Sequence, residues 1–253
     1  MVTDINCDLG EGSGQKGAAG DDSIMPFITS ASIACGFHAG DPLTIERSVR
    51  SAVRHGIGIG AHPGYPDREG FGRRPMTISH EELRALILYQ SAAVKGIAES
   101  AGATMQHVKP HGALYNAAAA DYEMAMVIAR AVKDLDSSLI LVGLSGSQLI
   151  RAAREIGLPW ASEVFADRAY NDDGTLVSRT IEGAVLHDTA MVIDRAVRMI
   201  KEKTVESISG KIIAIEADTI CIHGDNEMAL VFAENLSETL EKNGIELKYF
   251  GKR

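Results

Sequence analysis

Cysteine, excess basic charge and long apolar runs are all scarce in this chain, and each scarcity excludes a class of function. Cys7, Cys35 and Cys221 are far apart, odd in number and form no Cys-x-x-Cys pair. That rules out a disulfide framework and a zinc-finger or dithiol signature, and it suits a reducing cytoplasm. Lys and Arg number 25 against 34 Asp and Glu, a formal charge of −9. Such a balance argues against general binding to nucleic acid or to an anionic membrane. An anionic substrate would need a local cationic pocket working against the global field. No run approaches the roughly 20 apolar residues of a membrane span. The first residues, Met-Val-Thr-Asp-Ile-Asn-Cys-Asp, place acids where a signal peptide needs an apolar stretch. Low-complexity segments, internal repeats and an evident domain linker are lacking too.

What is present is enough apolar material for a sizeable core, 45% of 253 residues. The pattern alternates strand and helix. Strands are expected at 2–8, 30–35, 57–61, 139–142, 161–165 and 219–222, with another running into His107-Val108-Lys109. Helix signals lie between them. Asp41-Pro42 is a capping acid followed by proline at the first helical position, and that helix should stop at Gly56. Ser79 and Glu82 form a capping box. Further helices are expected over about 121–134, from Ser147 to Gly157, over 188–203, and to Asn243. Residues 169–187 read as an excursion, the stretch after 203 as a linker, and 245–250 as a short tail strand. About seven βα units in this length predict one closed or nearly closed parallel (β/α) barrel spanning 1–253.

In such barrels the active site sits at the C-terminal ends of the strands. Read that way, the strand ends supply Asn6 and Asp8, then His38, His62, Lys109 and His111, then Asp167 and Arg168, and finally His223 and Asp225. A lone histidine is more often structural, but several at the same relative position point to a site. His55 and His80 fall on helices and belong to the surface. His107 and His111 have the spacing of a helical zinc pair, yet Pro110 disfavours helix at Lys109 and removes a backbone donor, so that motif fails.

Asp8, His62 and His111 could hold a divalent ion, with His38 or His223 substituting. The same residues equally fit a metal-free acid–base cluster. Gly143-Leu144-Ser145-Gly146-Ser147 opens a helix and could cradle phosphate through Gly143, Ser145, Gly146 and Ser147, or Ser145 or Ser147 could simply cap it. Cys35 is read as buried rather than nucleophilic. The segment from Tyr65 to Arg74 is dense in charge and reads either as a solvated loop or, as its glycines and Phe71 suggest, as a lid whose arginines bind an anionic substrate.

Several stretches together resemble one family. They are Asp4 to Gly12, Ala31 to Asp41, Gly60-Ala61-His62-Pro63, His107 to Asn116, Leu141 to Ser147, Glu163 to Arg168, and Cys221 to Asp225. The whole is similar to the LamB/YcsF family. The departures are Cys7, where a small residue such as alanine is expected, and a longer glycine-rich segment over 12–20.

The resemblance implies a seven-stranded barrel of the glycoside hydrolase/deacetylase class. It further implies the A-subunit role in a 5-oxoprolinase: ATP-dependent hydrolytic ring opening of 5-oxo-L-proline to L-glutamate, with two further subunits and Mg2+ as the nucleotide's counter-ion. On that basis Lys109 and Arg168 are expected to stabilise charge, and Asp8 and His111 to act as acid and base. His38, His62, Asp167 and His223 would position substrate or water. Two rivals stay open, a metal-dependent amide or carbohydrate deacetylase working without ATP and a non-catalytic substrate-presenting subunit. All three are compatible with a homo-oligomer.

Overall fold

Seven parallel strands close on themselves in the computed structural model of the chain, which describes residues 1–12, 20–223 and 229–250, His223 by its backbone alone. They are β1 (Val2–Leu9), β2 (Ser30–Ala34), β3 (Gly58–His62), β4 (Met105–Val108), β5 (Ile140–Leu144), β6 (Trp160–Val164) and, after a short hairpin, β9 (Thr219–His223). Each pairs with the next, and β9 closes the ring on β1 with Asp8 opposite His223. The expected seven-stranded barrel is the observed one.

The local causes match the residues. Helix α1 (Pro42–His55) starts where the Asp41 carboxylate accepts from the N–H groups of Leu43 and Thr44, and it ends at Gly56, whose φ of 66° suits the left-handed turn. Helix α2 (His80–Ser100) carries the reciprocal Ser79–Glu82 capping box and buries Leu83, Ile87, Val94 and Ala98. Further helices are α3 (Gly112–Ala120), α4 (Tyr122–Leu135), α5 (Gln148–Ile156), α6 (Thr189–Glu202) and α7 (Ala229–Lys242), and a short 3-10 turn covers Met25–Phe27. No described helix is long and apolar enough to cross a membrane.

Two elements differ from the sequence expectation. Helix α3 occupies residues read as the loop after β4; Gly112 and the preceding proline mask a helix whose stability comes from the Ala-rich run 117–120. The supposed linker after α6 folds into an antiparallel hairpin of β7 (Thr204–Glu206) and β8 (Ile212–Ala214), too short for a period-2 pattern to stand out. Between β6 and α6 the chain makes the expected excursion, held by isolated bridges of Arg168 with Val185 and Tyr170 with Leu176. The tail strand β10 (Glu246–Leu247) is shorter than expected. It lies parallel to β1, and Tyr249 and Phe250 behind it pack with Val142 and Ala161 at the opposite end from the strands' C-termini.

Candidate active site

Strand β1 sends Asp4, Asn6 and Asp8 to one face, because side chains two apart share a face. These three form a polar column up the barrel interior. At its foot, Asp4 accepts hydrogen bonds from Thr29, Ser30 and Thr219. Burial pushes the Asp4 carboxyl up to about 6, with those hydroxyls pulling the other way. In the middle, the Asn6 amide donates to Glu163 at 2.9 Å and Thr219 at 2.7 Å.

Above them lies Lys109, which is 1% exposed. Its ammonium reaches Asn6 Oδ1 at 2.7 Å, Glu163 Oε1 at 3.0 Å and Asp8 Oδ1 at 2.5 Å. Burial works against its charge, but Asp8, Cys221 and Glu163 outweigh that and hold its pKa well above the ordinary lysine range. Tyr115 closes the group by donating to Glu163 Oε2 at 2.6 Å. Removing one member of a buried ionic group typically costs about 3–5 kcal/mol. Lys109 is therefore structural as well as chemical, and a Lys109→Met change would disturb folding together with any reaction.

At the mouth the histidines meet. His62 Nε2 lies 3.3 Å from Asp8 Oδ2, and its Nδ1 is 2.7 Å from the carbonyl of Lys109. His111 Nδ1 lies 2.9 Å from His62 Nε2, and its Nε2 is 2.8 Å from the carbonyl of Phe71. His38 stacks on His111 with ring centroids 3.7 Å apart. Glu11 Oε1 sits 3.4 Å from His38 Nε2 and 3.3 Å from His111 Nδ1. Burial pushes His38 down to about 4, so its ring is neutral near pH 7.

The segment from Tyr65 to Arg74 closes over this group. Arg68 donates to the carbonyls of Gly36 and Gly40, and Asp67 holds the Gly70 N–H and the Arg74 side chain. Phe71 takes φ 54°, a left-handed conformation that costs a non-glycine residue roughly 1–2 kcal/mol. That turn presents the Phe71 carbonyl to His111. At Gly72 an added Cβ would lie 2.8 Å from the His111 ring and from the His38 Cβ, so glycine is needed for the close approach.

A cleft of about 530 Å3, its open mouth included, is lined by Asp8, Glu11, His62, Lys109, His111 and Glu163, together with exposed Arg73 and Arg179 and buried Arg168. Asp8, His62, Lys109 and His111 thus come together as expected, and His38 joins them from behind His111. Arg168 reaches the cleft, but two of its guanidinium nitrogens donate to the carbonyls of Val177 and Ala184, which makes it a strut for the excursion. Asp167 and the Gly143–Ser147 turn do not line the cleft. There Ser145 Oγ accepts the Glu216 N–H at 2.8 Å, and Ser147 makes no side-chain cap on α5. The His223 side chain and Asp225 lie outside the described residues, as does most of the 12–20 segment.

His107 is separate from His111, as Pro110 required. It sits in the barrel with Ser32 Oγ at 3.1 Å and its ring against Phe250. Cys35 is buried with its thiol pushed up to about 12 by burial, which leaves it inert. His55, His80 and His187 are exposed. Residue reading missed Glu11, Glu163, Tyr115 and Arg179. A charged residue inside the otherwise uncharged strand Trp160–Val164 was the available signal for Glu163; Arg179, on the excursion, had none.

With this geometry in place, comparison with known proteins is informative. The chain is 53% identical over 250 residues to the A subunit of 5-oxoprolinase from Acinetobacter baumannii (strain ACICU), covering 99% of this chain and 98% of that one. It is 50% identical over 244 residues to the A subunit of 5-oxoprolinase from Alkaliphilus metalliredigens (strain QYMF), covering 96% and 95%. Among solved structures, the lactam utilization protein of Thermus thermophilus superposes with a TM-score of 0.92 at 43% identity, covering 99% of this chain and 100% of that chain. Residues 3–253 match the LamB/YcsF family, and the chain belongs to it.

Proposed function

We propose that this chain is the A subunit of a 5-oxoprolinase, acting with two partner subunits to open 5-oxo-L-proline to L-glutamate with hydrolysis of ATP. The observation that carries the reading is the cleft in which buried acid–base groups lie beneath a rim of arginines. The relatives named as the A subunit of 5-oxoprolinase, matched over nearly the whole chain, give it its substrate.

The chemistry explains why such a cleft is needed. A five-membered lactam is an unstrained amide and resists water. Transfer of the γ-phosphoryl group of ATP to the carbonyl oxygen releases ADP and turns that oxygen into a leaving group. Water then adds to the ring carbon while a base takes its proton. The ring C–N bond breaks as an acid protonates the nitrogen, and a second water releases phosphate. Asp8 and His111 face the cleft and take the base and acid roles, worth typically about 10²–10⁴-fold each. Lys109 and His62 flank Asp8 and fix its position. Arg73 and Arg179 at the rim, backed by the charge of Arg168, attract the substrate carboxylate and the phosphoryl group. The Mg2+ that accompanies ATP belongs to the nucleotide, and a cytoplasmic location follows from the need for ATP.

The test is release of glutamate and ADP from 5-oxoproline and ATP by the chain with its two candidate partners. Stoichiometric release by the full mixture is expected. No turnover in that mixture would overturn the reading. Hydrolysis of acetylated sugars or amides by this chain alone, without ATP, would favour the deacetylase alternative instead.

A further inference from the structure

The hydrogen bonds of His62 and His111 fix where their protons sit. A carbonyl oxygen only accepts, so His62 must carry its N–H on Nδ1, facing the carbonyl of Lys109 at 2.7 Å. For the same reason His111 carries its N–H on Nε2, facing the carbonyl of Phe71 at 2.8 Å. The remaining nitrogens, His62 Nε2 and His111 Nδ1, are then bare lone pairs only 2.9 Å apart. Their other neighbours are also electron-rich. Asp8 Oδ2 lies 3.3 Å from the first, and Glu11 Oε1 lies 3.3 Å from the second. His38 Nε2 adds a fifth donor atom, 3.4 Å from Glu11 Oε1. His38 is 1% exposed, and neither of its ring nitrogens nor Glu11 Oε1 has a hydrogen-bond partner.

A cation among these electron-rich atoms relieves their mutual repulsion. Protons can meet the same contacts, one between His62 and His111 and the His38 N–H turned to Glu11, and metal uptake separates the two arrangements. We propose that Glu11, His38 and His111 bind one divalent transition-metal ion of the zinc class, with His62 and Asp8 beside it.

Three further observations fit. Tetrahedral bonds of about 2.0–2.1 Å to nitrogen and oxygen place neighbouring ligand atoms about 3.3 Å apart, the spacing found around Glu11 and between His62 and Asp8. The outward-facing nitrogens of His62 and His111 already hold backbone carbonyls, the usual means of fixing a ligating imidazole. Among the described residues, Asp8 and Glu163 pair with Lys109, whereas Glu11 meets only His38 and His111, so a cation beside Glu11 also balances its charge. Imidazole with carboxylate suits zinc and its first-row neighbours better than calcium or magnesium. The ion's part in hydrolysis, to lower the pKa of a water facing the lactam carbon in place of the proton transfer given to His111, rests on the proposed function; the binding does not.

The experiment is titration of the chelator-treated full chain with Zn2+, and with Co2+ followed by visible absorption. One equivalent is expected to saturate the site, with a Co2+ spectrum of a nitrogen–oxygen site. Glu11→Gln and His38→Phe should each weaken binding by at least about 10-fold, whereas His55→Ala on the surface leaves it unchanged. Failure of the wild-type chain to take up one equivalent would overturn the proposal, as would wild-type affinity in both folded variants. Turnover with the partners after metal removal, without one-equivalent binding, would sink the metal site and leave the 5-oxoprolinase reading standing. One-equivalent binding with no turnover would do the reverse.

Discussion

Asp4 shows how a single residue couples the barrel's interior to pH. Its carboxyl is fully buried and its pKa rises from the ordinary 3.8 to about 6, chiefly through burial. The folded state therefore binds this proton more tightly than the unfolded chain does. Above pH 6 the charged group weighs against folding. As pH falls from about 7 towards 4, the native state takes up its proton first and stability rises from this source. The difference is on the order of 3 kcal/mol. Asp4→Asn is expected to stabilise the chain at pH 8 and to remove this part of the pH dependence, as read from chemical denaturation at pH 8 and pH 5. Equal stability of the two proteins at pH 8 would show that the surrounding hydroxyls fully offset the burial. The sequence displayed Asp4, Asn6 and Asp8 at alternate positions. It did not display which way that face pointed, because β1 is buried on both sides. Glu11 was hidden for a related reason. It lies in the turn beyond β1, and its approach to His38 and His111 depends on how β1, β2 and β4 are placed around the ring.

At the scale of elements, the strands and caps were legible and the irregular segments were not. Asp41, Ser79 and Gly56 act through neighbours within four residues, so sequence carries their message directly. Pro110 likewise separates His107 from His111 by a local steric rule. The β7–β8 hairpin and the bridges inside the excursion depend on contacts between separate segments, whereas helix α3 was masked locally by Pro110 and Gly112. The C-terminal tail is a further case. Strand β10 pairs with the start of β1, and Phe250 packs on His107 and on the barrel floor with Tyr249. At Gly58 an added Cβ would stand 2.8 Å from the Tyr249 ring. Phe250→Ala should cost about 3 kcal/mol and lower the melting temperature by roughly 6–12 °C in a chain of this size. A melting temperature within a degree of wild type would mean that the tail merely rests on the floor.

Taken as a whole, the molecule departs from the barrel whose interior is layered with branched apolar side chains. Here the interior is a hydrogen-bonded polar column running from Asp4 through Thr219, Asn6, Glu163 and Lys109 to Asp8. Such a column is expensive to bury and rigid once every member is satisfied. Its rigidity holds the groups at the mouth in fixed register, which general acid–base catalysis requires. The most direct measurement is glutamate release by the mixture with its partners when Asp8→Asn replaces the wild-type chain, with folding checked by melting temperature. If the reaction takes place in this cleft, the folded variant loses at least about 100-fold in rate. Glutamate release at the wild-type rate from a folded Asp8→Asn chain would place the chemistry elsewhere.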